Sequence, residues 1–190
     1  MSSSSWIKLL KKTARSLAKN RNHGARVALV GIGNEINGDD GVGVWIVRSL
    51  RIVCSLHTMR NERTIHTLSQ NLTEQPGWLL VEAGLAPENF TGTLRRFQPD
   101  LVVLIDAAEM ALPAAEIACV DWSAAGGWSA STHTLPLNML SSFLVSELDC
   151  QVMVLGIQPV QMGMDQPLSQ EVTRSVDDIV AEFQSWMKEV

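Results

Sequence analysis

The chain predicts an α/β domain: a three-layer α/β/α sandwich around a mainly parallel, mixed sheet of about five strands. Three observations lead there. Short apolar runs alternate along the chain with segments of helical period, the order of a layered sheet. Residues 101–105, Leu-Val-Val-Leu-Ile, are apolar at every position, as in a central strand covered on both faces. Glycines or acids close the runs, as where strand ends line one rim of an open sheet. With 190 residues and 46% hydrophobic content there is enough apolar material for one core, and no internal repeat or interdomain linker divides it.

The elements follow in order. In the first 24 residues Trp6, Leu9, Leu10, Thr13 and Leu17 recur at helical spacing among Lys8, Lys11, Lys12, Arg15, Lys19 and Arg21. This is a basic amphipathic extension, residues 1–24, ahead of a domain spanning 25–190. It lacks the apolar stretch and cleavage site of a signal peptide, and it suits either packing on the domain or docking to an acidic partner or membrane surface. A strand at 26–30 runs into Gly31-Ile32-Gly33-Asn34-Glu35-Ile36-Asn37-Gly38-Asp39-Asp40-Gly41-Val42-Gly43, five glycines in thirteen residues. Such density marks sharp turns or close approach of a ligand. A helix is expected over 41–51, with Asp39 and Asp40 at its favourable end. Residues 51–77 are polar and without period, so they read as an irregular insertion with a short strand near 64–68. Strands are then expected at 78–82, 101–105 and 151–157, with an edge strand at 116–120. Helices are expected at 88–97 and after Thr132 or Thr134, where Pro136 suits a first turn and Leu137, Leu140, Leu144 and Leu148 share a face. A last helix over 169–188 buries Val172, Val176, Ile179, Val180, Phe183 and Met187.

Several function classes are excluded. A net charge of -5 gives no basic surface for nucleic acid. No apolar run approaches the roughly 18–20 residues of a membrane span, so a soluble protein is expected. Cys54, Cys119 and Cys150 show no CxxC spacing and no disulfide framework, which places the chain in a reducing cytoplasm. Gly31-x-Gly33 lacks the third glycine of a dinucleotide fingerprint, since Ile36 stands there, and the phosphate-loop lysine is missing. No serine sits in a nucleophile elbow, and neither Cys54 nor Cys150 has a histidine at a motif position.

What remains is Asp40 in the glycine block, Asp106 at the end of the most apolar strand, and His133 at a helix entrance. An aspartate after five apolar residues stands at the sheet rim or is expensively buried. Two oxygen donors and one imidazole suit a borderline divalent ion such as nickel or zinc. Three protein ligands also leave positions open, as in catalytic rather than structural sites.

These motifs, with Leu104-Ile105-Asp106-Ala107, Thr132-His133-Thr134-Leu135-Pro136-Leu137, Glu82-Ala83-Gly84-x-Ala86-Pro87-Glu88-Asn89 and Leu155-Gly156-Ile157-Gln158-Pro159, resemble the [NiFe]-hydrogenase maturation endopeptidases, most of all the hydrogenase 3 type. The resemblance runs from about Arg26 to the last helix. It implies a phosphorylase/hydrolase-like fold and a monomeric, metal-directed protease of aspartic type. Such an enzyme removes the C-terminal extension of a large-subunit precursor after nickel insertion. Asp40, Asp106 and His133 would then be the catalytic and nickel-facing residues, the nickel coming with the substrate. Asp40 would orient or deprotonate the attacking water, or nickel would activate it. Two other classes fit the same trio, an adaptor that recognises the metallated partner without cleaving it and an unrelated small metallohydrolase with its own zinc. The extension 1–24 and the segment 51–77 have no counterpart in the family pattern, and Glu82 replaces its aspartate.

Overall fold

A computed structural model of the chain describes residues 4–18, 24–58, 67–69, 71–123 and 136–189. Seven strands among them form one sheet, β1 (Val27–Ile32), β2 (Thr67–Ser69), β3 (Leu72–Gln75), β4 (Trp78–Gly84), β5 (Leu101–Ala107), β6 (Ile117–Val120) and β7 (Gln151–Ile157), in the order β2-β3-β4-β1-β5-β7-β6. The central four are parallel; β3 on one side and β6 on the other run antiparallel to them, and β2 pairs antiparallel with β3. The helices are α1 (Ser4–Ala18), α2 (Val42–Thr58), α3 (Thr91–Phe97), α4 (Leu137–Leu148) and α5 (Gln170–Met187).

Alternation along the strands separates two cores. Val27 and Leu29 of β1, with Leu101, Val103 and Ile105 of β5, pack beneath α1, α2 and α5. Ala28, Val30 and Ile32, with Val102 and Leu104, face α3 and α4. This is the three-layer α/β arrangement expected from the strand and helix pattern. Its first layer includes a cluster of rings, with Trp6 and Phe183 centroids 5.6 Å apart and Trp78 meeting Trp186 edge-on at 4.8 Å. Edge and offset contacts of this kind add about 0.5–1.5 kcal/mol each beyond the area they bury.

The structure revises four expectations. The sheet has seven strands rather than about five, because part of the segment read as an irregular insertion forms the β2–β3 hairpin. That hairpin continues the sheet antiparallel beyond β4, where Leu72 pairs with Val81 and Gln75 with Trp78. The helix expected over 41–51 starts at Val42 and reaches Thr58. On α1 the inward residues are Trp6, Ile7, Leu10 and Ala14, whereas Leu9 is exposed. Ala14 completes the face as a small residue that a search for large apolar side chains passes over. On α5 Trp186 is buried and Val180 and Met187 are only partly covered.

Helix α2 lies against the sheet so closely that a Cβ on Gly43 would overlap the carbonyl oxygens of both Ile32 and Ile105. Gly43→Ala should therefore cost roughly 3 kcal/mol or more, seen as a fall in the urea midpoint at unchanged slope. No helix among the described residues is long and apolar enough to cross a membrane.

Candidate functional site

The chain leaves β1 towards β4 on one side and leaves β5 towards β6 and β7 on the other. Between the carboxyl ends of β1 and β5 the connections diverge, which is where an open α/β sheet forms its ligand crevice. Both candidate carboxylates that the structure describes lie at this rim. Asp106 is the penultimate residue of β5, beside Gly156 of β7. Asp40 sits in a 3-10 turn, Gly38–Gly41, that joins the glycine block to α2. Gly33, at φ +126°, makes the preceding turn, and its missing side chain leaves room for the Asp40 carbonyl.

Both side chains are buried, Asp40 at 2% and Asp106 at 3% relative exposure. Neither forms an ion pair with a lysine or arginine among the described residues. Burial pushes the Asp106 carboxyl well above the usual carboxylate range, the like charge of Asp40 raises it further, and the backbone N–H of Ala107 offsets part of this. Burial raises Asp40 too, opposed by Asn37 and by the backbone of Asn34. The Asn37 Nδ2 donates to Asp40 Oδ2 at 3.4 Å. Two buried acids acting on each other without a cation form a place that takes up protons or a positive ion. Such a donor set fits a divalent metal. His133 lies outside the described residues, so the structure brings together two members of the trio.

Asp39, expected only to favour the helix end, has a different task. It is fully buried, and its Oδ2 accepts from the backbone N–H of Val160 and of Gln161, both at 2.9 Å, and from Ser169 Oγ at 3.0 Å. Its Oδ1 accepts from Ser169 N at 2.7 Å. The backbone adds Asp39 N to Gln161 O at 3.1 Å and Asp165 N to Ile36 O at 2.7 Å. The strap 158–169 between β7 and α5 is thereby buckled onto the glycine block. Ser169 also caps α5 by accepting from Val172 N at 3.3 Å. One signal in the sequence was a second aspartate beside the first, but the partners lie more than 120 residues away.

Sequence reading also missed an ionic chain next to the crevice. Glu82, buried at the end of β4, pairs with Arg48 and Arg51 of α2, and Arg48 also grips Glu35 of the glycine block. Two arginines three residues apart on a helix and an acid inside an apolar strand were the available signal.

Comparison with known proteins agrees with this fold. The HycI family of hydrogenase maturation proteases matches residues 62–186, more than half of the chain. A Methanocaldococcus jannaschii protein named for hydrogenase maturation proteases is 32% identical over 155 residues, 82% of this chain and 84% of its own. The hydrogenase 3 maturation protease of Escherichia coli K12 is 28% identical over 159 residues, 83% and 88% of the two chains. In fold, the crystal structure of the [NiFe] hydrogenase maturation protease HycI from Thermococcus kodakarensis superposes with a TM-score of 0.71 at 24% identity, covering 92% of this chain and 97% of that one. A mixed sheet with two buried carboxylates at its switch point and matches of this extent lead to one conclusion: the chain belongs to the hydrogenase maturation protease family and is a hydrolase of the endopeptidase kind.

Proposed function

We propose that the protein removes a C-terminal extension from a nickel-loaded [NiFe]-hydrogenase large-subunit precursor. Asp40, Asp106 and His133 serve as its nickel-facing and catalytic groups. The enzyme works as a cytoplasmic monomer whose catalytic unit is 25–190, with 1–24 as an extension whose helix α1 packs on it. The observation that carries this reading is the pair of buried carboxylates with no lysine or arginine partner among the described residues. A precursor bringing its own cation supplies what the pair lacks, so affinity depends on whether nickel has been inserted. His133 is supported indirectly. Asp106 projects with the even-numbered residues of β5 towards the α3 and α4 side, and α4 begins at Leu137, four residues after His133.

When bound, the ion contributes Lewis acidity and a fixed positive charge. The chain's own part is to keep bulk solvent from the crevice, admitting the one reacting water, and to hold the reacting groups still. Asp40, whose burial makes it a stronger base than an exposed aspartate, orients or deprotonates the attacking water. The rim offers a surface for the substrate chain. Ile36 of the glycine block and Val160, Met162 and Met164 of the strap expose apolar side chains, Met164 to 76%. Flexible thioethers suit a segment of varied sequence. Met164→Asp combined with Ile36→Asp should raise KM for the precursor about tenfold and spare kcat, as read from initial rates.

Incubating the protein with nickel-loaded and nickel-free precursor and weighing the products by mass spectrometry tests the proposal. Loss of the tail only from the loaded precursor is the expected result. An intact loaded precursor that still co-elutes with the protein would leave an adaptor. Metal analysis of the protein as isolated should find substoichiometric metal; one tightly held zinc per chain would instead identify an unrelated metallohydrolase.

A further inference from the structure

The proposed reaction leaves the ionic chain beside the crevice unused. Glu35 accepts from Arg48 at both oxygens, through Nη1 and through Nη2, the latter at 2.9 Å. Arg48 also reaches Glu82 Oε2 through Nε at 3.0 Å and Nη2 at 2.9 Å. The other Glu82 oxygen accepts from Arg51 Nη1, and Arg51 Nε donates to Thr73 Oγ1 at 3.1 Å. Exposure drops across this chain, from 36% at Glu35 and 33% at Arg48 to 7% at Glu82 and 12% at Arg51. Its buried end is fixed to β3 and β4, and its open end is the glycine block.

Glu35 belongs to the turn 34–37, closed by Asn37 N to Asn34 O at 3.0 Å and by Ile36 N to Asn34 Oδ1 at 3.3 Å. Both groups of this turn that touch Asp40 come from its two ends, the Asn37 side chain and the Asn34 backbone. The turn also rests directly on the backbone next to Asp40, since a Cβ on Gly41 would come within 2.8 Å of Glu35 Cα. Asp40 has no cationic partner among the described residues, so its hydrogen bonds to this turn are what hold its carboxyl. The long 3.4 Å bond from Asn37 is a weak hold by itself, because hydrogen bonds weaken with length. Whatever keeps the turn in place therefore decides where Asp40 points.

We propose that Glu35, Arg48 and Glu82 are positioning residues, which fix the turn 34–37 against β4 and thereby aim the Asp40 carboxyl into the crevice. The inference rests on the reading of Asp40 as a site residue. A guanidinium suits this role because its planar fork sets direction as well as distance, which an ammonium does not. Arg48 lies on α2 itself, eight residues after Asp40, so turn, helix and strand share one frame. Its guanidinium stands 5.4 Å from the Trp45 ring centroid, which restricts it on one further side.

The test uses full-length 15N-labelled protein without added metal. In Glu35→Gln the Asn37 backbone amide should exchange with solvent about tenfold faster. The Asn37 side-chain amide signals should move in the direction that Asp40→Asn moves them, with the melting temperature held. Arg48→Lys, which keeps the charge and loses the fork, should show the same changes to a smaller extent. It decides in place of Glu35→Gln if that variant loosens the whole fold. With nickel-loaded precursor, kcat should fall about tenfold at unchanged KM, the scale of outer-shell losses in metal sites. Asn37 signals identical to the parent's in both variants overturn the proposal, whatever happens to processing. A parent protein that cleaves no precursor sinks the peptidase reading alone, because the Asn37 signals still decide the positioning one.

Discussion

Asp106→Asn is expected to abolish precursor processing, by a factor of about 10³ or more, and at the same time to raise the melting temperature of the metal-free protein. The two effects have one cause. Asp106 is buried, lies under the influence of Asp40, and has no cationic partner among the described residues. Its pKa in the fold is raised above its unfolded value, so its contribution to stability is fully present below the unfolded pKa and is lost as pH rises through the folded one. Asp40 shifts in the same direction and adds to the trend. For these two groups stability falls from acid towards neutral pH, the reverse of a salt-bridged carboxylate. Asparagine keeps the shape and removes the charge, relieving roughly 1–3 kcal/mol at pH 7, or several degrees in melting temperature.

Thermal scans of parent and variant at several pH values check this. The gain should shrink on acidification and vanish where the parent carboxyl is protonated. A variant less stable than the parent at pH 7 would mean that Asp106 has a stabilising partner and is not poised for a cation. Added nickel should stabilise the parent at neutral pH and not the variant, since an ion that binds only the folded site adds about 2.7 kcal/mol at a hundredfold excess over Kd.

Asp39→Ala should do the opposite, weakening the fold before it touches the chemistry. Four donors, Val160 N, Gln161 N, Ser169 N and Ser169 Oγ, lose their acceptor together in a buried place. Leaving such groups unpaired costs about 3–5 kcal/mol in sum, or roughly 10 °C in melting temperature for a chain of this size. Asp39→Asn should fall between, because its amide nitrogen would confront donors. Limited proteolysis should cut Asp39→Ala within the strap 158–169 first. Neighbouring aspartates thus separate cleanly: the variant at 39 melts early, whereas the variant at 40 keeps its stability and loses processing. Equal melting temperatures for parent and Asp39→Ala would show that the strap is held by its backbone bonds alone.

Much of this architecture was legible in the sequence because short-range rules govern it. The consecutive apolar residues before Asp106 are β5, the most covered strand, and the period-four leucines are α4 with Leu140 and Leu144 buried. What escaped were features with long-range causes. The hairpin β2–β3 has no apolar period of its own and exists because β4 offers an edge to pair with. Leu9 looked like an inward residue of α1 and is exposed, since which stripe of an amphipathic helix faces in depends on the surface beneath it. The buckle at Asp39 and the chain through Glu82 join residues tens to more than a hundred positions apart, where no local pattern reports them.

By itself the sequence determined the layered α/β class, the strand-end placement of Asp106, the glycine-flanked helix entrance at Asp40, and the family likeness, because hydrophobic period and glycine placement are local properties of a chain. Only the tertiary structure decided that β1 and β5 are neighbours whose connections diverge, so that Asp40 and Asp106 come to one rim, where the charge of Asp40 acts on Asp106. Strand order is set by how helices of both layers cover the sheet, a property of the whole core that no single segment encodes.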